Sequence, residues 1–317
     1  MQLAAIRGSV DEWQRRRAFA GFAVAVARKF SDDRAGGFAA LIAYYAFFSI
    51  FPLMLALTSV IGFVLQNDEQ LRDDVVDSVF GELPVLGPEI REDVGVLVGS
   101  GPALVIGLGL AVWAGLGVTL ALSRALDRVW GVPRVRRPGF VAARARGLLL
   151  LAAIGVTLVA SSIATGAAVA GKLGSGAEAV VTVALSAGVD VVLMTLVFLL
   201  ATSRRLRLAD VIPGVLLCSG GLLVLQTVGA VYVQATVARA SATSGLFAAV
   251  IGLLSWLWLT AQLVLVSAEV NAVRADRLWP RSLGATLTDA DHRALERAAA
   301  IAQNDPRQRI SVTFDEP

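Results

Sequence analysis

One carboxylate, Asp190, lies near the middle of an apolar run that extends from position 179 to 201. If this run crosses a membrane, an ionised carboxylate costs about 3 kcal/mol or more there, so the group must face water, meet a partner or stay protonated. Two interpretations follow. Asp190 either couples the movement of protons or substrate, or it is a structural residue hydrogen-bonded to Ser, Thr or backbone groups inside a helix bundle.

Polar groups and a proline share the first apolar run of the chain. Tyr44, Tyr45 and Ser49 precede Pro52. Because proline cannot donate a backbone hydrogen bond, it predicts a kink or a strong tilt. A kink frees a carbonyl for a ligand, and transporter sites are often built from such interrupted helices. These residues are therefore candidates for substrate or proton coupling, with ordinary helix packing as the alternative.

A third group lies where two apolar runs end. Glu269 and Asn271 close the last run, and Arg124, Asp127 and Arg128 follow the second. A carboxylate at the membrane interface can pair with arginines at modest desolvation cost. This predicts a structural clamp from Glu269 to Arg124 or Arg128, with a gating or substrate role as the alternative. Asp127 is three residues from Arg124, so a local helix pair is its simplest interpretation.

The residues that enzymes most often use for metal or redox chemistry are scarce in this chain. His292 is the only histidine and Cys218 the only cysteine among the 317 residues. A His and Cys metal cluster and an intramolecular disulfide are both excluded by these counts. The phosphate-binding string G-x-x-x-x-G-K-[ST] does not occur either. We therefore predict no metal, no cofactor, no catalytic residue and no enzymatic activity.

The composition indicates which elements must position these candidates. Hydrophobic residues make up 56% of the chain and charged residues 17%, and the mean hydropathy is +0.71. This hydrophobic share is larger than the core of a globular protein of this size would bury. A run of about 20 apolar residues can cross the hydrocarbon core as a helix. Six such runs occur, at 37–65, 102–122, 147–170, 179–201, 211–233 and 245–268. The predicted fold is all-α, a polytopic membrane protein with six transmembrane helices.

Basic residues are unevenly distributed around these runs. Arginines concentrate before the first run, after the second and after the fourth, whereas the loop at 66–93 has two arginines against nine acids. Since Lys and Arg in short loops stay on the cytoplasmic side, both termini are predicted to be cytoplasmic, with the arginines meeting anionic lipid headgroups.

The same distribution predicts three parts of the chain. Residues 1–36 form a cytoplasmic segment with an N-terminal interfacial helix, because apolar residues recur there at helical spacing opposite the arginines. Residues 37–269 form the six-helix transmembrane domain. Residues 270–317 form a short, polar cytoplasmic tail, in which Thr288 is the expected N-cap of a helix at 289–303.

Several strings of the sequence resemble the YihY/BrkB family of bacterial inner-membrane proteins. The string GFAALIAYYAFFSIFPL at 37–53 is similar to the family's opening signature, and RALDRVWGV at 124–132 to the segment after its second span. DVIPG at 210–214 and SAEVNA at 267–272 resemble parts of its last two spans. The resemblance covers residues 10–275 in order. Two departures are Thr243-Ser244-Gly245, where the family has a Tyr-Gly pair, and Ser267, where it has Gly.

The resemblance implies a six-helix inner-membrane fold without a settled activity. Members have been labelled as a tRNA-processing ribonuclease or as virulence factors, and a link to envelope lipid transport has been suggested. We expect transport-type handling of an envelope lipid or an amphipathic solute. The alternative is a membrane scaffold that organises envelope protein partners. A ribonuclease or other hydrolase is less favoured because clustered catalytic groups are missing, and we predict no nucleic-acid partner; the sequence leaves the oligomeric state open.

Overall fold

A computed structural model of the chain describes residues 11–14, 16–64, 101–170, 175–237, 242–283 and 287–314, and these residues contain helices and loops but no strand. The predicted acidic loop at 66–93 lies outside the described residues. We label the helices in chain order: α1 (Ala18–Asp32), α2 (Ala35–Val64), α3 (Gly101–Val129), α4 (Phe140–Ala170), α5 (Ser175–Leu200), α6 (Leu208–Val237), α7 (Ala242–Ala275) and α8 (Asp289–Ile301).

Each predicted apolar run coincides with one of the helices α2 to α7. Five of these helices contain a segment that is long and apolar enough to cross a membrane: Ala35–Ala56, Val105–Val129, Phe140–Thr157, Leu208–Gln226 and Val250–Ala275. In α5, the apolar segment among the described residues is the shorter Ala187–Leu200. The described residues are therefore all-α, the chain is a multi-pass membrane protein, and the sixth span stays a prediction.

The chain divides into two compact units, and the division into three parts along the sequence stays a prediction. One unit comprises residues 1–39, 122–223 and 261–317, and the other comprises residues 40–121 and 224–260. The first unit combines α1, α8 and the tail with portions of the membrane helices, because the polar segments at both ends of the chain pack against helix ends.

In the first unit, α1 packs against the end of α7. Ala25 and Val26 form a buried apolar cluster with Val273 and Leu278, and the Trp279 side chain packs against it. The apolar face of α1 is thus partly covered by protein, although its first turn leaves Phe19 exposed. Its predicted location in the membrane interface stays a prediction.

The end of α3 is closed by a glycine motif. Gly131 has a φ of +65°, its N–H donates to the Arg128 carbonyl, and the N–H of Val132 donates to the Asp127 carbonyl. This pair of bonds defines a Schellman cap, which favours glycine at the left-handed position. The cap turns the chain sharply after Trp130 and so determines where the basic loop at 131–139 begins.

The C-terminal tail is docked on the first unit through a buried ion pair. Arg281 Nε donates to Asp291 Oδ1 at 2.9 Å, and Arg281 Nη1 donates to Asp32 Oδ2 on α1 at 2.7 Å. Thr288 caps α8 by accepting a hydrogen bond from the Asp291 N–H at 3.2 Å, which confirms the predicted N-cap. The described residues of the tail therefore pack as part of this unit.

The charge of Asp291 is held by several donors. Burial alone would raise the pKa of this carboxyl, but hydrogen bonds from the backbone N–H groups of Ser282 and Thr288 and from Arg281 outweigh burial and lower the pKa below its ordinary value. For Arg281, burial acts to lower the pKa, and the two carboxylates reverse this and raise it. Both groups stay charged at neutral pH.

The second unit is packed through close contacts at glycines. A Cβ atom on Gly107 would lie 3.3 Å from the backbone of Ala56, and one on Gly117 would lie 2.8 Å from the Tyr45 ring. Small residues at these positions let neighbouring helices approach closely, as is typical of membrane bundles. Helix α2 therefore packs on α3 within this unit.

Candidate functional site

A buried ion cluster joins α1 to α7 in the first unit. Lys29 Nζ lies 2.8 Å from Glu269 Oε2 and 2.5 Å from Asp33 Oδ2, and it donates to the Val129 carbonyl at 2.7 Å. Lys29 is 8% exposed and Glu269 is 0% exposed. All three protons of the ammonium group thus have acceptors, which is what a buried lysine requires.

The cluster differs from the predicted clamp between Glu269 and an arginine. Arg128 Nε donates to Asp33 Oδ1 at 3.2 Å, so Arg128 pairs with α1 instead of α7. Arg124 is exposed and has no partner among the described residues. Glu269 binds Lys29 because α1 folds against the end of α7, a contact that no local spacing in the sequence indicates.

Asp127 also has partners that its sequence neighbours do not supply. Its Oδ1 accepts hydrogen bonds from the Ser203 N–H at 2.6 Å and the Thr202 hydroxyl at 3.2 Å, and its Oδ2 accepts from the Ser203 hydroxyl at 2.9 Å. The predicted local pair with Arg124 is replaced by these bonds. Asp127 therefore positions the turn that follows α5.

Helices α6 and α7 touch at Gly214. The N–H of Gly214 donates to Asn271 Oδ1 at 2.6 Å, one residue after Pro213. A Cβ atom at Gly214 would overlap the Asn271 amide and the Ser267 carbonyl. The predicted candidate Asn271 is thus a helix-to-helix contact, and glycine is the residue that permits it.

Beside this contact lies a set of polar side chains, which we call the polar strip: Asp190 on α5, Cys218 on α6, and Ser267 and Asn271 on α7. The Ser267 hydroxyl lies beside the Cys218 thiol without a hydrogen bond of normal geometry to it, and Asp190 is close enough to Cys218 to interact with it electrostatically. Cys218 is one helical turn from Gly214, and Ser267 is one turn from Asn271. The strip therefore follows the line along which α6 and α7 meet.

The polar strip contains buried atoms without hydrogen-bond partners. Asp190 Oδ2, Ser267 Oγ and Asn271 Nδ2 are inaccessible and unpaired among the described residues, as are the nearby Ser219 Oγ and Glu269 Oε1. A buried polar atom without a partner costs about 1 to 3 kcal/mol, so such atoms are rare and ask for an explanation. A water molecule or a polar ligand group would satisfy them.

The tyrosine and proline candidates belong to the second unit. The Tyr44 and Tyr45 rings meet edge to face with centroids 5.6 Å apart. The Ser49 hydroxyl donates to the Ala46 carbonyl in its own helix at 2.7 Å, and Pro52 lies inside α2. The structure brings these residues together on one helix and gives Tyr45 a packing contact; their coupling role stays a prediction.

Sequence reasoning identified Asp190, Glu269 and Asn271 but missed Lys29, Asp33 and the roles of Cys218 and Ser267. Lys29 and Asp33 have the spacing of a local helix pair, which is the one signal that marks them. A thiol and a hydroxyl inside apolar runs give no charge signal at all. Among the described residues, no three His, Cys, Asp or Glu side chains are grouped so that they could hold a metal ion.

Comparison with known proteins identifies similar sequences. A family model described as virulence factor BrkB matches residues 26–290. The chain is also 26% identical over 246 residues to a ribonuclease-like protein, YfkH, of Bacillus subtilis (strain 168), with 73% of this chain and 87% of that protein covered. No solved structure matches the chain.

Proposed function

The chain belongs to the BrkB family of membrane proteins, and we propose that it is a transport-type protein of the bacterial inner membrane that handles an envelope lipid or an amphipathic solute. Both termini are on the cytoplasmic side in this proposal. The observation that carries it is the polar strip, in which a carboxylate, a hydroxyl and an amide each have an unpaired atom inside apolar helices.

The unpaired atoms support a cavity that opens to water or to a polar headgroup. A membrane helix without a functional reason would lose nothing by having apolar residues at these positions, since lipid offers no hydrogen bonds. An amphipathic cargo could pair its headgroup with Asp190, Ser267 and Asn271 while its apolar part stays against the surrounding helices. Ionisable residues within membrane spans mark substrate or proton pathways for the same reason.

The ion cluster of Lys29, Asp33 and Glu269 supports a gating role for the end of α7, the helix that carries Ser267 and Asn271. Lys29 and Glu269 tether α1 to α7, which carries Ser267 and Asn271. A movement of α7 that opened the strip would have to break this buried pair or carry α1 along. We therefore assign Lys29, Asp33 and Glu269 the role of a clamp on α7.

We do not propose hydrolysis of RNA for this chain, although the name of the Bacillus relative describes that protein as ribonuclease-like. The strip contains one carboxylate and lies among apolar helices, where a polyanionic strand would lose its hydration without gaining compensating cations. A scaffold function would need no polar strip, so it predicts that changes in the strip leave activity unaltered.

The test is mass spectrometry of lipids that copurify with gently extracted protein. Wild type, Asp190→Asn, Asp210→Asn and a mock preparation from the same membranes are compared. Asp210 is the matched control because its Oδ2 accepts the Arg207 N–H at 3.1 Å, an interaction that Asn retains. We expect one envelope lipid to be enriched with wild type and Asp210→Asn and depleted with Asp190→Asn. Bulk membrane composition in all samples would contradict the lipid proposal.

A further inference from the structure

A recess lined by arginines lies in the first unit, apart from the polar strip. Its volume is about 400 Å³, and the residues that line it include Arg136, Arg204, Arg205, Arg297 and Trp130. Arg136 and Trp130 follow α3, Arg204 and Arg205 follow α5, and Arg297 belongs to α8. The recess therefore lies where two membrane helices end, against the docked tail.

The positive charge of this recess is only partly neutralised. Arg204 makes two bonds of 2.9 Å with the two carboxylate oxygens of Asp276, and Arg297 contacts the same carboxylate. Arg136 and Arg205 have no carboxylate partner among the described residues. Two of the four arginines thus share one carboxylate and two have none, and the described residues that line the recess include no acid.

The crowding of these cations is also visible at Arg297. Burial, and then the positive charge of Arg204, lower the pKa of Arg297 to about 10. The group remains charged at neutral pH. Asp276 already bridges Arg204 and Arg297, and a second anion beside them would relieve the remaining repulsion among the arginines.

Trp130 supplies a second and independent observation. The residue is 2% exposed and lines the recess, yet its Nε1 donor is buried without an acceptor among the described residues. The Arg204 guanidinium lies over the Trp130 ring, 5.2 Å from the centroid. Since the indole N–H can only donate, the missing partner must be an acceptor atom.

The chemistry that fits these donors is a phosphate group. Guanidinium groups bind phosphate through paired, charge-assisted N–H···O bonds. The Trp130 indole N–H is inaccessible in this structure, so it would reach a phosphate oxygen after a shift of neighbouring side chains. The hydrogen bonds of the nearby Asp127 carboxylate come from Thr202 and Ser203, and none comes from the four arginines. We propose that this recess binds the phosphate group of an anionic ligand. The site is distinct from the polar strip and does not depend on the transport proposal.

The tail takes part in this site. Helix α8 contributes Arg297, and the N–H of Val135 in the loop after α3 donates to the Gln303 carbonyl at 3.1 Å. A bound phosphate bridging Arg297 to Arg136 or Arg205 would add a further link between the tail and the membrane helices. Ligand binding should therefore slow exchange of the α8 amides with solvent.

The experiment uses the full chain in nanodiscs and two probes. One probe is inorganic phosphate, titrated into protein in phosphatidylcholine nanodiscs. The other is phosphatidylglycerol at low fraction in those nanodiscs, followed by native mass spectrometry of retained lipid. The test variant is Arg136→Gln/Arg205→Gln. The matched control is Arg134→Gln/Arg207→Gln, which removes the same charge from the same two loops outside the recess.

We expect at least one probe to bind wild type and the control alike and to bind the test variant at least about tenfold more weakly, since two charge-assisted contacts are lost. A second variant, Trp130→Phe, should weaken the same probe while keeping the ring in place. An effect on phosphatidylglycerol alone identifies a lipid headgroup as the source of the phosphate, and an effect on inorganic phosphate alone identifies a soluble compound. Absence of binding, or equal binding by test and control variants in both arms, would overturn the proposal.

Discussion

Lys29 Nζ and Glu269 Oε2 lie 2.8 Å apart in the protein interior, although the two residues are separated by 240 positions in the chain. The contact joins the helix before the first membrane span to the last membrane helix. Because both charges are buried, the pair is strongly sensitive to the loss of either partner.

We predict that Lys29→Met destabilises the protein by about 3 to 5 kcal/mol, because it removes the ammonium group that donates to Glu269, Asp33 and the Val129 carbonyl and leaves these buried acceptors without that partner. The double variant Lys29→Met/Glu269→Leu should recover much of that loss, since Asp33 keeps Arg128 as its partner. The measurement is the free energy of unfolding in mixed micelles for both single variants and the double variant. Strictly additive costs would mean that the two side chains do not interact.

Gly214 should not tolerate a side chain. Gly214→Ala forces α6 away from the Ser267 carbonyl and the Asn271 amide, so we expect a loss of about 2 kcal/mol or more. Gly220, on the same helix, has open space where the alanine methyl group would lie, and Gly220→Ala should be neutral or stabilise by up to about 1 kcal/mol. Thermal unfolding of the two variants in the same detergent compares them. Equal stability of both variants would argue against close contact at Gly214.

The docking of the tail should depend on pH through Asp291. The folded pKa of this carboxyl is lowered, so its contribution to stability is complete above the unfolded pKa of about 3.9 and is lost as the pH falls through the lower folded value. Hydrogen exchange of the α8 amides, corrected for intrinsic rates, should therefore accelerate between pH 5 and acid conditions of about pH 2.

A pair of variants isolates this effect. Asp291→Asn should expose α8 already at neutral pH and remove most of the acid dependence, whereas Asp289→Asn in the same helical turn, which is exposed, should behave like wild type. If the two variants exchange alike, Asp291 is not the group that holds the tail.

The membrane helices could be predicted because apolar runs of sufficient length have few alternatives to a helix in lipid. Asp190 could be identified in the same way, since a charge inside such a run stands out. The partner of Glu269 was predicted incorrectly, because Arg128 forms its ion pair with Asp33. Which basic residue pairs with Glu269 depends on how α1 packs against α7. Cys218 and Ser267 became candidates only when the structure placed them side by side.

The docked tail illustrates the same limit. The cap at Thr288 was predictable from local residue types, but the contact of Arg281 with Asp32 joins residues 249 positions apart. Local sequence patterns specify where a helix begins; they do not specify which surface it covers. The arginine recess likewise combines three distant segments of the chain.

The most direct test of a water-accessible polar strip uses Cys218, the only cysteine, which is 0% exposed and adjacent to Ser267. Native membranes are treated with a small cationic methanethiosulfonate reagent. The control is Leu217→Cys in a Cys218→Ser background, which places a thiol at similar depth on an exposed face of α6.

If the strip opens to water during transport, Cys218 reacts faster than the control thiol, and a cargo lipid or the Asp190→Asn change alters the rate. The transport account is contradicted if Cys218 in membranes reacts no faster than the control thiol and becomes reactive only when detergent unfolds the protein. That result would mean that the strip is closed to water.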